Sequence, residues 1–202
     1  MKLSVFLIAM LSFTMAYSQG NYIAEIQDQR AEKDKTLQSR RTSPLQRKDR
    51  RRFQDLPYYE IDEIWRIEVD LKRTESDEII EIPTSAGYAK KFKEYGVLEL
   101  FIGENYFPLT AYVRVPRDGE EPADHQSLFV PFKDLTSGNA TYGGGRYLDV
   151  EIPTGDNPAI VDFNLAYSPY CAYGGGFACP IPPQKNFIKA EVRAGEKALE
   201  HH

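Results

Sequence analysis

The sequence predicts a mainly β protein, an antiparallel β-sandwich or partly open barrel with an N-terminal helical segment. The chain of 202 residues contains 13 Tyr and 11 Phe, residue types that favour strands. Short segments alternate apolar and polar residues, and turns rich in glycine and proline separate them. Strand and helix patterns do not alternate along the chain, so we expect no parallel nucleotide-binding sheet.

The first eighteen residues have the organisation of a signal peptide. A positive start at Lys2 precedes an apolar run from Leu3 to Ala16, and small residues at Ala16 and Ser18 follow it. The run is shorter than the roughly 20 apolar residues that span a bilayer. We predict cleavage after Ser18 and a periplasmic or secreted protein; a buried N-terminal helix is the alternative. No later segment is apolar enough for an integral membrane protein.

Residues 19–57 are expected to form a helical segment that packs on the body of the fold. Asn21 is the predicted N-cap of a polar helix over residues 21–41, whose thin apolar stripe consists of Ile23, Ile26 and Leu37. Ser43 and Pro44 predict the start of a second helix. The basic stretch 47–52 that follows is interpreted as a solvated helix face or as a patch for anionic lipid or phosphate.

Residues 58–198 are predicted to form one β-rich domain, with residues 199–202 as a tag remnant or native tail. The alternation is clearest from Trp65 to Leu71 and from Leu98 to Ile102. Further strands are predicted over 77–82, 106–115, 127–132, 146–152, 160–167 and 187–193. If the last two paired, Arg193 would face Asp162 as a buried ion pair or as a ligand clamp.

Composition and charge exclude several classes of protein. Hydrophobic residues make up 42% and charged residues 27% of the chain, which is typical of a globular domain. The net charge of −5 argues against nucleic acid as a partner. His125 is the only histidine besides the C-terminal pair, so a histidine-rich zinc site cannot form. We expect no metal and no cofactor, and expect His125 to lie in an exposed loop.

Polar and aromatic strings follow one another through the C-terminal third of the chain. They read FKDLTSG over 132–138, TYGGGRYL over 141–148, DFNLAYSPYC over 162–171, CPIPPQKN over 179–186 and RAGEK over 193–197. Together and in this order, they resemble a bacterial family known as domain of unknown function 1684. The chain departs from the family pattern at Ser168, where Asn is usual. The resemblance implies one shared architecture for these polar positions and says little about activity.

These strings supply the candidate binding residues Asp134, Thr136, Tyr142, Arg146, Asp162, Asn164, Tyr167, Asn186, Arg193 and Glu196. One interpretation is that their side chains tie turn-rich loops together through backbone hydrogen bonds. The other is that they line a pocket with Tyr142 and Tyr167 as aromatic walls. Arg146 lies on the apolar face of its predicted strand and therefore needs a carboxylate partner. The candidates for that partner are Asp134, Asp162 and Glu196.

Cys171 and Cys179 lie in a loop of Tyr, Gly and Pro. In an exported protein this pair predicts a disulfide. The alternatives are a reactive thiol or a metal-binding pair, although two cysteines without a third ligand make a poor metal site.

The leading functional prediction is an exported protein that binds a small molecule or an envelope component through the C-terminal residues. One alternative is a hydrolase-type enzyme that uses Asp162 or Glu196 as acid or base, with Arg146 or Arg193 stabilising an anion. Such an enzyme predicts a deep cleft with convergent carboxylates. The other alternative is a structural partner in an envelope complex, which predicts a large exposed apolar patch.

Overall fold

The computed structural model describes residues 3–116, 127–155 and 157–199, with side chains from residue 21 onward. His125 lies outside the described residues, so its position in an exposed loop stays a prediction. The chain divides into two compact units between Asp55 and Leu56.

The first unit is dominated by helix α1, Leu3–Gln38. Asn21 lies inside this helix and donates to Glu25 Oε1 at 2.6 Å, so the predicted N-cap is wrong. Ile26 and Leu37 are buried, as the thin apolar stripe predicts. Neither helix in the described part of the chain combines the length and apolar character needed to cross a membrane.

A short second helix, α2, covers Arg47–Arg50. It begins later than Ser43 and Pro44 predict, and Gln46 is its N-cap residue. The Ser43 hydroxyl instead accepts a hydrogen bond from the Leu45 amide at 3.1 Å, which holds a turn before the helix. None of the α2 residues is buried, as expected for a solvated helix face.

The second unit is mainly β. Its strands are β1 Arg66–Val69, β2 Leu71–Arg73, β3 Ile79–Pro83, β4 Ala89–Ile102, β5 Asn105–Arg114, β6 Ser127–Asp134, β7 Arg146–Glu151, β8 Ala159–Asp162 and β9 Phe187–Ile188. The larger sheet has the order β2-β4-β5-β6-β7, with β3 on β4 and β9 on β6, and β1 pairs with β8 in a second sheet. All these pairs are antiparallel except β6–β9, and the sheets are not closed. The predicted fold class is confirmed.

The main core lies on one face of the larger sheet. Alternate residues of its strands, such as Leu100, Ala111, Val130 and Leu148, join Val161 of the smaller sheet in one buried cluster. The opposite face of the larger sheet carries the intervening residues. It has a smaller cluster of its own, built from Ile82, Phe92 and Tyr112 with Ile80 and Phe129 packed against it.

The strands predicted over 160–167 and 187–193 end early in the structure. β8 stops at Asp162, whose carboxylate accepts a hydrogen bond from the Asn164 amide at 2.9 Å and starts a 3-10 turn. β8 pairs with β1, whereas β9 pairs with β6. The prediction that Arg193 faces Asp162 is therefore wrong. Arg193 forms an exposed ion pair with Glu191 at 2.6 Å.

Two glycines within the family strings occupy positions that no other residue fits. Gly195 has φ +72°, and a Cβ there would lie 2.5 Å from the Ala166 carbonyl oxygen and 2.6 Å from that of Phe163. Gly145 has φ +92°, and its Cβ would lie 2.6 Å from the Phe132 carbonyl oxygen. Both positions combine a left-handed backbone with a close backbone approach, so glycine is required at each.

Candidate functional site

Among the described residues, Arg146 has the largest fully buried side chain, and it begins strand β7. Its guanidinium donates to the Val192 carbonyl at 2.9 Å and to the carbonyl of Ala194. Nη2 lies 3.4 Å from Asp134 Oδ1, so Asp134 supplies the carboxylate that the sequence required. Burial lowers the pKa of Arg146, and the charge of Asp134 acts in the opposite direction.

The Asp134 carboxylate, the ion-pair partner of Arg146, is the centre of a second set of buried hydrogen bonds. It accepts hydrogen bonds from the Thr136 hydroxyl at 2.8 Å, the Ser137 hydroxyl at 3.1 Å and the Val192 amide at 2.8 Å. The Thr136 hydroxyl also lies 2.9 Å from that of Thr141. Asp134 therefore ties the end of β6 to its following turn and to the chain before Gly195.

Asn186 bridges strands β5 and β6 with its side-chain amide. Its Oδ1 accepts from the Thr110 amide at 2.8 Å, and its Nδ2 donates to the carbonyls of Thr110 at 2.9 Å and Pro131 at 2.8 Å. Pro131 has no amide hydrogen to give to the neighbouring strand. The Asn186 side chain thus takes the place of a backbone hydrogen bond between β5 and β6 that Pro131 cannot donate.

Asn164 connects the end of β8 to the segment before β1. Its Oδ1 accepts from the Asp62 amide at 3.1 Å, and its Nδ2 donates to the Asp62 carbonyl at 2.8 Å. Asp162 is 8% exposed and lies opposite Arg66 in the β1–β8 pair. Both residues of this string therefore contribute to the junction between the smaller sheet and the turn after it.

Glu196 is fully buried beside Tyr173. Its carboxylate accepts hydrogen bonds from the Tyr173 hydroxyl and from the Ser168 amide, the latter at 3.3 Å. Burial raises the pKa of Tyr173, and the charge of Glu196 raises it further. This pair fastens the loop after β8 to the C-terminal segment.

The candidate residues therefore fall into separate groups. Most of the polar ones join loops and strand ends through internal hydrogen bonds, which is the loop-tying arrangement, and Arg193 lies apart from them at the surface. A ligand-binding role for the polar residues stays a prediction. Of the two predicted pocket walls, Tyr142 is half-buried in the segment before β7, and Tyr167 lies beside Tyr147 at the edge of the larger sheet.

Tyr167 extends the larger sheet beyond β7. It exchanges two backbone hydrogen bonds with Tyr147, at 2.8 and 3.0 Å, so the two side chains lie on the same face. Their rings meet edge to face at 5.8 Å and 88°, and the Tyr147 ring meets Phe129 at 4.8 Å and 75°. We call Phe129, Tyr147, Asp149 and Tyr167 the tyrosine face. Burial raises the pKa of Tyr147, and neighbouring Tyr142 raises it further.

Of the tyrosine face, only Tyr167 was among the predicted site residues; Phe129, Tyr147 and the charged residue Asp149 were missed. Asp149 lies opposite Phe129 in the β6–β7 pair, and its carboxylate accepts from the Tyr167 hydroxyl at 2.9 Å. The residue is at the surface, yet the rings crowd its carboxyl closely enough that burial raises its pKa. Among the described residues no Lys or Arg forms an ion pair with it. The signal was available, because Asp149 alternates with Leu148 and Val150 in a predicted strand.

The model of a family described as a protein of unknown function, DUF1684, matches residues 51–197. The chain belongs to this family. The five sequence strings of the C-terminal third are thus features of DUF1684. They contain the buried residues Asp134, Arg146 and Glu196, and also Tyr147 and Tyr167 of the tyrosine face. A solved relative, an uncharacterized protein of Haloarcula marismortui studied by solution NMR, is 32% identical. The alignment covers 92% of this chain and 99% of that chain, with a TM-score of 0.70. No curated protein matches the sequence.

The cysteine pair of this DUF1684 domain borders the tyrosine face. Cys171 and Cys179 stand at disulfide-bonding distance, with Cα atoms 6.3 Å apart. The chain that follows them is anchored at Pro180, whose carbonyl accepts from the Tyr147 hydroxyl at 2.5 Å. The Ile181 amide also donates to the Pro83 carbonyl at 2.8 Å. The cysteine loop is thereby held between β3 and the tyrosine face.

Replacing both cysteines by serine is expected to lower the free energy of unfolding by about 2.6 kcal/mol, because the cross-link closes a loop of about nine residues in the unfolded chain. Urea denaturation of the unreduced protein measures this difference. Wild-type protein treated with reductant is the control and should match the double variant. Titration of two free thiols in the unreduced wild type would contradict the prediction.

Proposed function

We propose that this DUF1684 protein is an exported, non-catalytic protein that binds a small molecule against the tyrosine face. The observation that carries the proposal is Asp149, a surface carboxylate among aromatic rings that has no ion-pair partner in the described chain. Binding sites commonly combine aromatic surfaces with a few oriented polar groups. The Tyr167 hydroxyl orients Asp149, and the rings of Phe129 and Tyr167 are half-buried rather than sealed.

The accessibility of the two groups of residues favours this face over the buried network. Arg146 and Glu196 are 0% exposed, and the Arg146 Nη2 and the Glu196 carboxylate form hydrogen bonds with loops of the same domain. A hydrolase that used them would have to open those loops to admit its substrate. Asp149 needs no such rearrangement, because it already lies at the surface. The binding function therefore has more support than the hydrolase alternative.

The export part of the proposal rests on the N-terminal pattern and on the cysteine pair. A positive start, an apolar run and small residues follow in the order of a signal peptide. Cys171 and Cys179 at bonding distance fit an oxidising compartment. We expect the mature chain to begin at Gln19. The intact mass of the unreduced protein purified from its own compartment tests this, and a mass that retains residues 1–18 would contradict export.

Native mass spectrometry of the same unreduced protein tests ligand binding. The wild type is expected to carry a mass excess that disappears on denaturation. The Asp149→Asn variant should lose this excess, because the carboxylate that orients the ligand is gone. Glu151→Gln is the matched control, since Glu151 is two residues further along β7 and on the same face. A wild-type protein without excess mass, or an excess unchanged in Asp149→Asn, would contradict the proposed site.

A further inference from the structure

The geometry of the tyrosine face points to a chemical class of ligand: we infer that it binds an organic monocation, an ammonium group that carries alkyl substituents. This inference rests on the proposed function and deepens it. It follows from the charge on the face, from the orientation of the rings and from the number of oxygen ligands available.

The tyrosine face carries one carboxylate, that of Asp149, which forms no ion pair with any described residue. The Asp149 carboxylate has the Tyr167 hydroxyl as its hydrogen-bond partner. Lys185, whose Nζ lies 5.6 Å from the centroid of the Tyr112 ring on this side of the sheet, is ion-paired with Glu94. A cationic ligand would neutralise the negative charge of the Asp149 carboxylate, whereas this charge would repel an anionic ligand.

The two half-buried rings of the tyrosine face, Phe129 and Tyr167, also favour a cation over a neutral molecule. Tyr147 meets both rings edge to face and is itself 6% exposed, so the ring surface left for a ligand is that of Phe129 and Tyr167. The faces of aromatic rings carry negative potential and attract ammonium groups. A ligand that combines positive charge with an apolar surface therefore gains from both the rings and Asp149.

A metal ion does not fit this surface as well. Hard cations such as Ca²⁺ require six or more oxygen ligands, of which several are carboxylates or carbonyls. No group of three or more metal-ligating side chains occurs in the described part of the chain. A single carboxylate beside aromatic rings suits a large cation of low charge density instead.

Titration of choline chloride into isotope-labelled, unreduced wild-type protein tests the inference by NMR. The matched probe is 3,3-dimethylbutan-1-ol, which has the shape of choline without its charge. We expect saturable shifts of the Phe129, Asp149 and Tyr167 amides with choline. The neutral alcohol should bind at least about tenfold more weakly, a difference of about 1.4 kcal/mol.

Two variants separate the carboxylate from the rest of the face. Asp149→Asn should weaken choline binding about tenfold or more and leave the weak binding of the alcohol unchanged. Glu151→Gln should change choline affinity by no more than about twofold, since Glu151 is exposed and screened. Urea midpoints equal to that of the wild type show that both variants are folded.

The outcomes distinguish the inference from the proposed function. If the neutral alcohol shifts the same amides as strongly as choline, the cation inference is overturned and the tyrosine face remains the binding site. If no probe shifts these amides while native mass spectrometry shows an excess that depends on Asp149, the inference again fails alone. If no probe binds and the native protein carries no excess mass, both are overturned.

Discussion

The Asp134→Asn variant is expected to lose about 3–5 kcal/mol of unfolding free energy, because it leaves the buried Arg146 guanidinium without a compensating charge. Both side chains are 0% exposed, so water cannot replace the lost carboxylate. The substitution also disturbs the hydrogen bonds that Asp134 accepts from Thr136, Ser137 and the Val192 amide. Urea denaturation at neutral pH measures the change.

Asp77→Asn is the matched control for this variant. Asp77 also pairs with a cation, Lys93 at 3.0 Å, but its side chain is 94% exposed. Its removal should leave the urea midpoint unchanged. The double variant Asp134→Asn with Arg146→Met should be destabilised by less than the sum of the two single variants, because the unpaired charge disappears with Arg146. A cost for Asp134→Asn no larger than for Asp77→Asn would refute the central role of this pair.

The second large effect is expected for Asn186→Ala, which should cost about 3 kcal/mol or more. The substitution leaves the Thr110 amide, the Thr110 carbonyl and the Pro131 carbonyl without the partner that Asn186 provides. Each buried polar group that loses its hydrogen bond costs about 1–3 kcal/mol. Unfolding in urea measures the loss, and native-state hydrogen exchange should show faster exchange of the Thr110 amide.

Asn157→Ala removes the same chemical group from an exposed turn. The Asn157 side chain donates to the Thr154 carbonyl at 2.9 Å, where water can take its place. This variant should unfold at the wild-type urea concentration. Equal effects of the two substitutions would show that the bridge between β5 and β6 is not what Asn186 contributes.

The polar residues of the DUF1684 strings have a structural role that does not depend on catalysis. Its loops are rich in glycine and proline, and proline removes backbone donors from the sheet. Asp134, Asn164 and Asn186 supply hydrogen bonds where the backbone cannot pair with itself. The DUF1684 strings therefore describe in large part how the domain holds its loops.

Local patterns predicted the strands that lie within the larger sheet. Alternation over 98–102, 127–132 and 146–152 identified β4, β6 and β7, because one face of each strand packs in the main core and the other face is more exposed. The same reasoning extended β8 too far. The Asp162 side chain accepts a hydrogen bond from the Asn164 amide. This hydrogen bond competes with strand pairing of the backbone and ends β8 at Asp162.

The sequence by itself determined the mainly β class, the family, the cysteine pair and the need of Arg146 for a carboxylate. These conclusions depend on residue type and on neighbours along the chain. Only the tertiary structure decided that Asp134 is the carboxylate of that ion pair, and that Tyr167 pairs with Tyr147 beside Asp149. Contacts of this kind join residues far apart in sequence, and their register depends on how the whole sheet is assembled.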